Sequence, residues 1–80
     1  MIKLSVVIIT FNEEKNLPRC FDSVKELADE ILIVDSLSND NTLSIAEGYG
    51  ARIISQKFLG HIEQKNFAWA NAQYDWVLSL

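Results

Sequence analysis

Several residue types are scarce in this 80-residue sequence, and each shortage excludes a class of protein. Cys20 is the single cysteine, which rules out an internal disulfide or a cysteine cage for a metal. No apolar run approaches the roughly 20 residues of a transmembrane helix, and the first residues lack the features of a signal peptide. We therefore expect a cytoplasmic protein, either free or peripheral at the inner face of the membrane.

Positive charge is also scarce. Seven lysines and arginines are outnumbered by eleven aspartates and glutamates, and the formal net charge is −4 at pH 7. Because the basic residues are scattered rather than gathered into a stripe, we expect no nucleic-acid partner. The three glycines form no Gly-x-Gly-x-x-Gly or Walker-type loop, so dinucleotide-binding and P-loop enzymes are disfavoured.

Two apolar stretches, by contrast, are pronounced, and each leads into a polar loop. Val6–Ile9 is apolar throughout, without the alternation of a strand that has one face in water. Ile31–Val34 repeats the pattern and continues into the polar-rich residues 35–42. Strands buried on both faces are typical of parallel sheets covered by helices, and ligands of such sheets bind at the carboxyl ends of the strands. The two polar loops are therefore predicted to share one crevice.

Strand and helix patterns alternate along the chain. The patterns predict strands at Leu4–Thr10, Glu30–Asp35, Ala51–Ser55 and Trp76–Leu80, and helices at Leu17–Leu27, Asn41–Tyr49 and His61–Gln73. Right-handed crossovers then give a three-layer α/β fold, in which a parallel sheet in the order 3-2-1-4 has helices on both faces. We expect residues 1–80 to form a single partial domain.

The predicted core comes from the apolar faces of these helices. The first helix has one apolar stripe, formed by Leu17, Cys20, Phe21, Val24, Leu27 and Ala28. Cys20 is thus more typical of a core residue than of a nucleophile. In the third helix, Ile62, Trp69 and Phe67 are expected to face inward, and Trp76 is also assigned to the core.

Several polar residues after the first two strands have two interpretations. Asn12, Glu13 and Glu14 suit contacts with a base or ribose, but they equally suit a solvated loop that caps the first helix. Asp35 ends an apolar strand, so its carboxylate should be desolvated and should need a donor, which favours a functional role. Asp40 is more typical of a helix cap than of a ligand contact.

Helix ends and isolated side chains complete the predictions from the residues themselves. Asn16 is the expected cap of the first helix, Ser38 is the alternative to Asp40 for the second, and Gly50 is the expected left-handed residue after it. Lys65, midway along a helix, is by itself a typical solvated side chain. His61 is more typical of a loop or helix start than of a base or metal ligand.

Three segments together resemble one known family. VVIITFNEE (residues 6–14), ILIVDSLSNDNT (31–42) and QKNFAWANA (64–72) look like the N-terminal nucleotide-binding part of a family 2 glycosyltransferase. The resemblance implies the GT-A fold, which is Rossmann-like, and transfer of a sugar from a nucleoside diphosphate sugar. It also implies an inverting reaction and a divalent metal, Mg²⁺ or Mn²⁺, in the full-length enzyme.

The resemblance also implies which residues form the nucleotide-sugar site. The segment after the first strand lies by the nucleoside, the aspartate that ends the second strand contacts the nucleoside, and the basic residue of a Lys-Asn pair lies near the diphosphate. The matching positions in this chain are Thr10, Phe11, Asn12, Glu13, Asp35, Ser36, Asp40, Lys65 and Asn66. Ser36 stands where many members have a second consecutive aspartate.

Two further features indicate which branch of the family this chain resembles. The Asp-Ser-x-Ser-x-Asp pattern and the segment YDWVLSL resemble the branch that contains lipopolysaccharide-core glucosyltransferases. The expected donor is a UDP-hexose and the expected acceptor a glycan or lipid-linked glycan.

The Asp-x-Asp metal motif of the family is expected after Leu80, so we expect no metal ligands, catalytic residue or acceptor part in these residues. The 80-residue chain should then be inactive alone, and its fourth strand should offer an edge for self-association.

Two alternatives come from other classes of protein. A receiver-type signalling domain also has acidic residues after its first strand, but it needs a phosphoacceptor aspartate after its third, where this chain has Ser55-Gln56-Lys57. A non-catalytic nucleotide-binding or interaction module is the remaining alternative. It would bind UDP without any transfer activity.

Overall fold

Four strands alternate with three helices in the computed structural model, which describes residues 3–79. The strands are β1 (Leu4–Thr10), β2 (Glu30–Asp35), β3 (Arg52–Ser55) and β4 (Trp76–Ser79). The helices are α1 (Leu17–Val24), α2 (Thr42–Gly48) and α3 (His61–Asn71). All seven predicted elements are present, and the predicted strand end at Leu80 lies outside the described residues.

The strands form one parallel sheet in the order β3-β2-β1-β4, as predicted. β1 is central, and its register with β2 runs from Ser5 opposite Glu30 to Thr10 opposite Asp35. The last residues of β1 and β2 therefore lie side by side. This pairing places the two polar loops at the same edge of the sheet.

Helices cover both faces of the sheet, which confirms the three-layer α/β fold. Alternate residues of β1 point to opposite faces because side chains along a strand alternate. One face packs with α1 and α2 around Val6, Ile8, Leu17, Phe21, Val24, Ile33 and Ala46. The other face packs with α3 around Val7, Leu32, Val34 and Ala68.

Helix α1 ends three residues earlier than predicted, and Leu27 is 65 % exposed rather than buried. The N–H groups of Leu27 and Ala28 both donate to the carbonyl of Val24, at 3.0 Å, so the chain leaves the helical path there. Leu27 is carried off the apolar stripe, and Ala28 packs against the core instead. Phe21 is fully buried, and its ring stacks on that of Tyr49 with centroids 4.4 Å apart.

Helix α3 is two residues shorter than predicted, and a different face of it is buried. Gln64 and Ala68 are buried and Phe67 is half-buried, whereas Ile62 is 72 % and Trp69 64 % exposed. Gln64 and Ala68 are four residues apart and so share one side of the helix, and the predicted apolar pair lies away from it. Trp76, also predicted to be in the core, is exposed at the start of β4.

The helix caps follow the predictions in part. Asn16 occupies the N-cap position of α1, but its side chain makes no capping hydrogen bond. Asn41 precedes α2, while the Oδ1 atom of Asp40 accepts a hydrogen bond of 2.9 Å from the N–H of Thr42. Gly50 follows α2 with a φ of +76°, the predicted left-handed conformation. Among residues 3–79, no helix is both long and apolar enough to span a bilayer.

Candidate functional site

A cleft of about 290 Å³ opens at the carboxyl ends of β1 and β2, where the start of α3 forms its other wall. We call this cavity the main cleft. It is lined by Ile9, Thr10, Phe11, Glu13, Ser36, Phe58, His61 and Lys65. The fold thus brings together five predicted site residues from the three family-like segments, namely Thr10, Phe11, Glu13, Ser36 and Lys65.

Besides Ile9 of β1, two residues of the main cleft were not among the predicted site residues. Phe58 lies in the irregular connection after β3, and His61 is the first residue of α3. Their rings meet edge to face, with centroids 5.2 Å apart. Neither residue belongs to a recognisable motif, and a glycine two residues after Phe58 is the only local sign of the turn that brings them to the cleft.

Asp35 lies directly behind the main cleft and does not line it. Its side chain is fully buried, as expected for a carboxylate that ends an apolar strand. Oδ1 accepts hydrogen bonds from the hydroxyls of Thr10, at 2.7 Å, and Ser38, and Oδ2 accepts one from the N–H of Ser38, at 2.7 Å. The donors that desolvation requires are therefore supplied by the protein itself. Asp35 links the end of β1 to the loop after β2.

Asn12 joins the same two loops from the solvent side. Its N–H donates to the hydroxyl of Ser38 at 2.8 Å, and its side-chain oxygen accepts from the N–H of Asn39 at 2.9 Å. Asn12 and Leu37 both have positive φ angles, 52° and 61°. Asparagine tolerates this conformation better than leucine does. Leu37 adopts it in the turn that returns Ser38 to Asp35, three residues earlier in the chain.

Asp40 makes the third link between these loops. Oδ1 accepts from the N–H and the hydroxyl of Thr42, and Oδ2 accepts from the N–H of Glu14 at 3.3 Å. Desolvation by itself would raise the pKa of Asp40, but the hydrogen bonds from Thr42 and Glu14 outweigh it and lower the pKa. The Thr42 hydroxyl in turn accepts from the N–H of Glu13 at 2.8 Å. These contacts support the predicted capping role and extend it to the loop after β1.

Lys65 and Asn66 are separated by the geometry of α3. Lys65 is exposed and lines both the main cleft and a second cavity of about 290 Å³, which we call the side groove. Asn66 lines the side groove and not the main cleft. The predicted Lys-Asn pair therefore offers its cation to the main cleft and its amide to a different surface.

The main cleft combines apolar faces with groups of both charges. Phe11 and Phe58 are 57 % and 46 % exposed, so each can present its ring to a planar ligand. Glu13 can accept hydrogen bonds, and the Lys65 ammonium can bind an anionic group. Aromatic rings, an acceptor and a cation in one cleft suit a ligand with a flat ring, hydroxyl groups and a negative charge.

Within the part of the chain that the structure describes, neither a reactive thiol nor a set of metal ligands adds to this chemistry. Cys20 is half-buried against the core. Burial, and to a lesser extent the nearby Glu13 carboxylate, raise the pKa of its thiol. Within residues 3–79, no group of three or more histidine, cysteine, aspartate or glutamate side chains is placed to hold a metal ion. These residues do not supply a ligand set for the metal that the resemblance implies, and we derive no step through one.

Comparison with known proteins gives the same family. The family model for "Glycosyl transferase family 2" matches residues 5–80. The chain belongs to glycosyl transferase family 2. An uncharacterized glycosyltransferase of Rickettsia bellii is 44 % identical over 78 residues, which are 98 % of this chain and 26 % of that protein. The lipopolysaccharide core biosynthesis glycosyltransferase LpsC of Rhizobium meliloti is 33 % identical over 84 residues, covering 99 % of this chain and 31 % of LpsC.

Solved structures agree with the predicted GT-A fold of this family 2 chain. Glucosyl-3-phosphoglycerate synthase of Mycobacterium tuberculosis, in complex with Mn²⁺, UDP and glucosyl-3-phosphoglycerate, superposes with a TM-score of 0.83 at 27 % sequence identity. The match covers 99 % of this chain and 33 % of the synthase. The chain therefore spans about a quarter to a third of the length of these three proteins.

Proposed function

We propose that this family 2 chain is the donor-binding part of a glycosyltransferase and that its main cleft takes up the UDP group of a UDP-hexose. The observation that carries the proposal is the composition of the cleft. Residues of all three family-like segments converge there, at the end of the sheet where ligands of parallel α/β folds bind. The similar synthase of M. tuberculosis, solved with UDP, supports the choice of nucleotide.

Within this proposal the lining residues have distinct roles. Phe11 and Phe58 stack on the uracil base, and Glu13 accepts hydrogen bonds from the base or ribose. Lys65, with His61 one turn before it on α3, faces the diphosphate, whose charge an ammonium can partly neutralise.

Three of the predicted site residues act from behind the cleft or beside it. Asp35, Asn12 and Asp40 hold the two loops together through the hydrogen bonds described above. A direct contact of any of them with the nucleotide stays a prediction. Asn66 lines the side groove, which adjoins the cleft at Lys65, and in this proposal it contacts the sugar end of the donor rather than the base.

The longer protein would complete the reaction. We propose inverting transfer of the hexose to a glycan or lipopolysaccharide-core acceptor, at the cytoplasmic side of the membrane. The similarity to LpsC, a lipopolysaccharide core biosynthesis glycosyltransferase, supports the acceptor class. Mn²⁺ in the similar synthase supports a divalent metal, whose ligands would come from residues outside this chain. The acceptor site and the base that deprotonates the acceptor hydroxyl would also lie there.

An NMR titration of the ¹⁵N-labelled chain with UDP tests the proposed site directly. We expect the largest shift changes at the amides of Phe11, Glu13, Ser36 and Lys65, and small changes at the opposite end of the sheet, for example at Glu30. Uridine should perturb the loops after β1 and β2 but have less effect near Lys65. Saturable shifts centred on the side groove or on α1 would contradict the proposal, as would no response to millimolar UDP.

An interaction module remains the second candidate, because one observation favours it. Ile62 and Trp69 expose large apolar surfaces beside the side groove, and such surfaces often mark contacts with other proteins. UDP binding without any transfer by the longer protein, under conditions in which its relatives are active, would support this candidate.

A further inference from the structure

Gln64 is the largest polar side chain that is fully buried among the described residues. It lies on the inner face of α3, directly before Lys65, and the sequence offered no sign of its role because glutamine is an ordinary helix residue. A buried amide requires partners for its donors and its acceptor. The partners of Gln64 connect it to the main cleft.

The nitrogen of the Gln64 amide meets hydrogen-bond acceptors, and its oxygen meets a donor. Nε2 donates to the hydroxyl oxygen of Ser36 at 3.3 Å and to the carbonyl of Gln56 at 3.2 Å. Oε1 accepts from the N–H of Leu59 at 3.3 Å. A backbone carbonyl can only accept and a backbone N–H can only donate, so this orientation of the amide is set by its surroundings.

The contact with Gln64 leaves the Ser36 hydroxyl available as a hydrogen-bond donor. Ser36 lines the main cleft, and its oxygen already accepts a hydrogen bond from Gln64. The N–H of Ser36 is also engaged, because it donates to the carbonyl of Thr10 at 2.8 Å. The hydroxyl hydrogen is therefore the group that Ser36 has left to offer, and the cleft is where a ligand can accept it.

We propose that Gln64 is a positioning residue that holds the Ser36 hydroxyl as a hydrogen-bond donor toward the main cleft. This inference rests on the proposed binding of UDP, whose carbonyl, ribose and phosphate oxygens are all acceptors. The same amide accepts from the N–H of Leu59, and a glutamate at this position would keep an acceptor for that group. Gln64 touches no ligand itself and acts on the ligand through the Ser36 hydroxyl.

Replacement of Gln64 by glutamate reverses the chemistry at nearly constant volume. The carboxylate that this change introduces is an acceptor, so it would accept the Ser36 hydroxyl hydrogen and turn it away from the cleft. It would also have no hydrogen to donate to the Gln56 carbonyl. We expect Q64E to weaken UDP binding about tenfold, the effect of losing one hydrogen bond to a charged or polar ligand group. Ser36→Ala should weaken it by a similar factor. Calorimetry with UDP measures both.

A double-mutant cycle separates positioning from general damage. If Gln64 acts through Ser36, the double variant Q64E/S36A should bind UDP no more than about twofold more weakly than S36A, because the hydroxyl it would misdirect is gone. Asn71→Ala is the matched control. It removes an amide from the same helix, one that donates to the Phe67 carbonyl at 2.8 Å, away from the cleft. We expect its UDP affinity to stay within about twofold of wild type.

The outcomes distinguish this inference from the function on which it rests. Additive losses in the double variant, an unchanged affinity in S36A, or an equal loss in Asn71→Ala would each overturn the positioning role. Gln64→Met, which keeps the volume and removes the polar atoms, replaces Q64E if the glutamate variant does not fold, with the same expected loss. A wild-type chain that does not bind UDP would instead overturn the proposed function itself.

Discussion

Asp35 ends β2 with its carboxylate fully buried, and it accepts hydrogen bonds from Thr10 at the end of β1 and from Ser38 in the loop after β2. Removal of its charge should therefore disturb the cleft even without a direct ligand contact. An asparagine would turn an NH₂ group toward Thr10 or Ser38, which are donors in the native arrangement. Substitutions that leave buried polar groups unpaired typically cost about 1 to 3 kcal/mol of stability.

Asp35→Asn is accordingly expected to weaken UDP binding more than Asp40→Asn does. Asp40 holds the loops through the N–H groups of Glu14 and Thr42, which do not line the cleft, whereas the Asp35 partner Thr10 does. Calorimetric titration of both variants, at a temperature at which circular dichroism shows them folded, gives the comparison. A greater loss of affinity in Asp40→Asn would show that the Asp35 carboxylate is not the more important of the two.

The lowered pKa of Asp40 has a consequence for stability at acid pH. A carboxylate whose pKa in the folded chain lies below its ordinary value of 3.8 favours folding above that pH, and the contribution is lost as the pH falls through the lowered pKa. Asp40→Asn should therefore flatten the decline of stability below about pH 4. Urea melts between pH 2 and 6 measure this, with the exposed turn residue Asp75→Asn as control. Parallel acid limbs for wild type and Asp40→Asn would exclude the effect.

Single residues of the site were predictable where they belong to a strand end, and not where they depend on packing. The position of Asp35 and its need for donors follow from the apolar strand before it. The donors are Thr10 and Ser38. Ser38 reaches Asp35 through a turn in which Leu37 is left-handed, and no sequence pattern predicts that conformation for a leucine. Phe58 lies in an irregular connection, and its ring meets that of His61, the first residue of α3, a contact that no sequence pattern predicts.

At the scale of elements, α1 and α3 differ in how clearly their sequences mark the buried side. The apolar stripe of α1 is regular, and Leu17, Phe21 and Val24 are buried as predicted. In α3 the fully buried residues are Gln64 and Ala68, and Phe67 is half-buried against the core as predicted, whereas Ile62 and Trp69 point outward. A small and a polar residue occupy the buried side, so hydrophobicity alone placed Ile62 and Trp69 wrongly.

Truncation of Phe21 tests the packing of α1. Phe21→Ala should lower the free energy of unfolding by about 3 to 5 kcal/mol, because the ring is fully buried and stacked on Tyr49. Leu27→Ala should cost less than about 0.5 kcal/mol, since Leu27 is exposed after the helix has ended. Denaturant melts of both variants decide. A loss below about 1 kcal/mol for Phe21, or similar losses for the two, would contradict the observed end of α1.

At the scale of the whole molecule, the strand order was predictable because few topologies are compatible with right-handed crossovers and a uniformly apolar first strand. The sheet order places β4 at one edge, where among residues 3–79 it pairs with β1 alone. The groups around this edge could not be assigned from the sequence. Trp69 and Trp76 are large aromatic residues of the kind usually found in a core. Both are exposed, because none of residues 3–79 packs over them.

Self-association through this edge is the corresponding prediction. Within residues 3–79 the outer side of β4 faces no other strand, and Trp76 and Leu78 add exposed apolar surface there. We expect the sedimentation coefficient of the 80-residue chain to rise with concentration, and Leu78→Lys to reduce that rise because charge on an edge strand opposes pairing. Ser44→Lys, on α2 away from this edge, is the control for added charge. A strictly monomeric chain at high concentration would refute the prediction.

Titration of UDP and uridine against two lysine variants tests whether the main cleft binds UDP with the diphosphate at Lys65. Calorimetry should show that Lys65→Ala weakens UDP binding by about tenfold or more while uridine binding changes less than about twofold, because the ammonium contributes through the charged phosphates. Lys57→Ala, an exposed lysine that does not line the cleft, should leave both affinities unchanged. Equal losses for UDP and uridine in Lys65→Ala, or a wild-type chain that binds UDP no more tightly than uridine, would contradict the account.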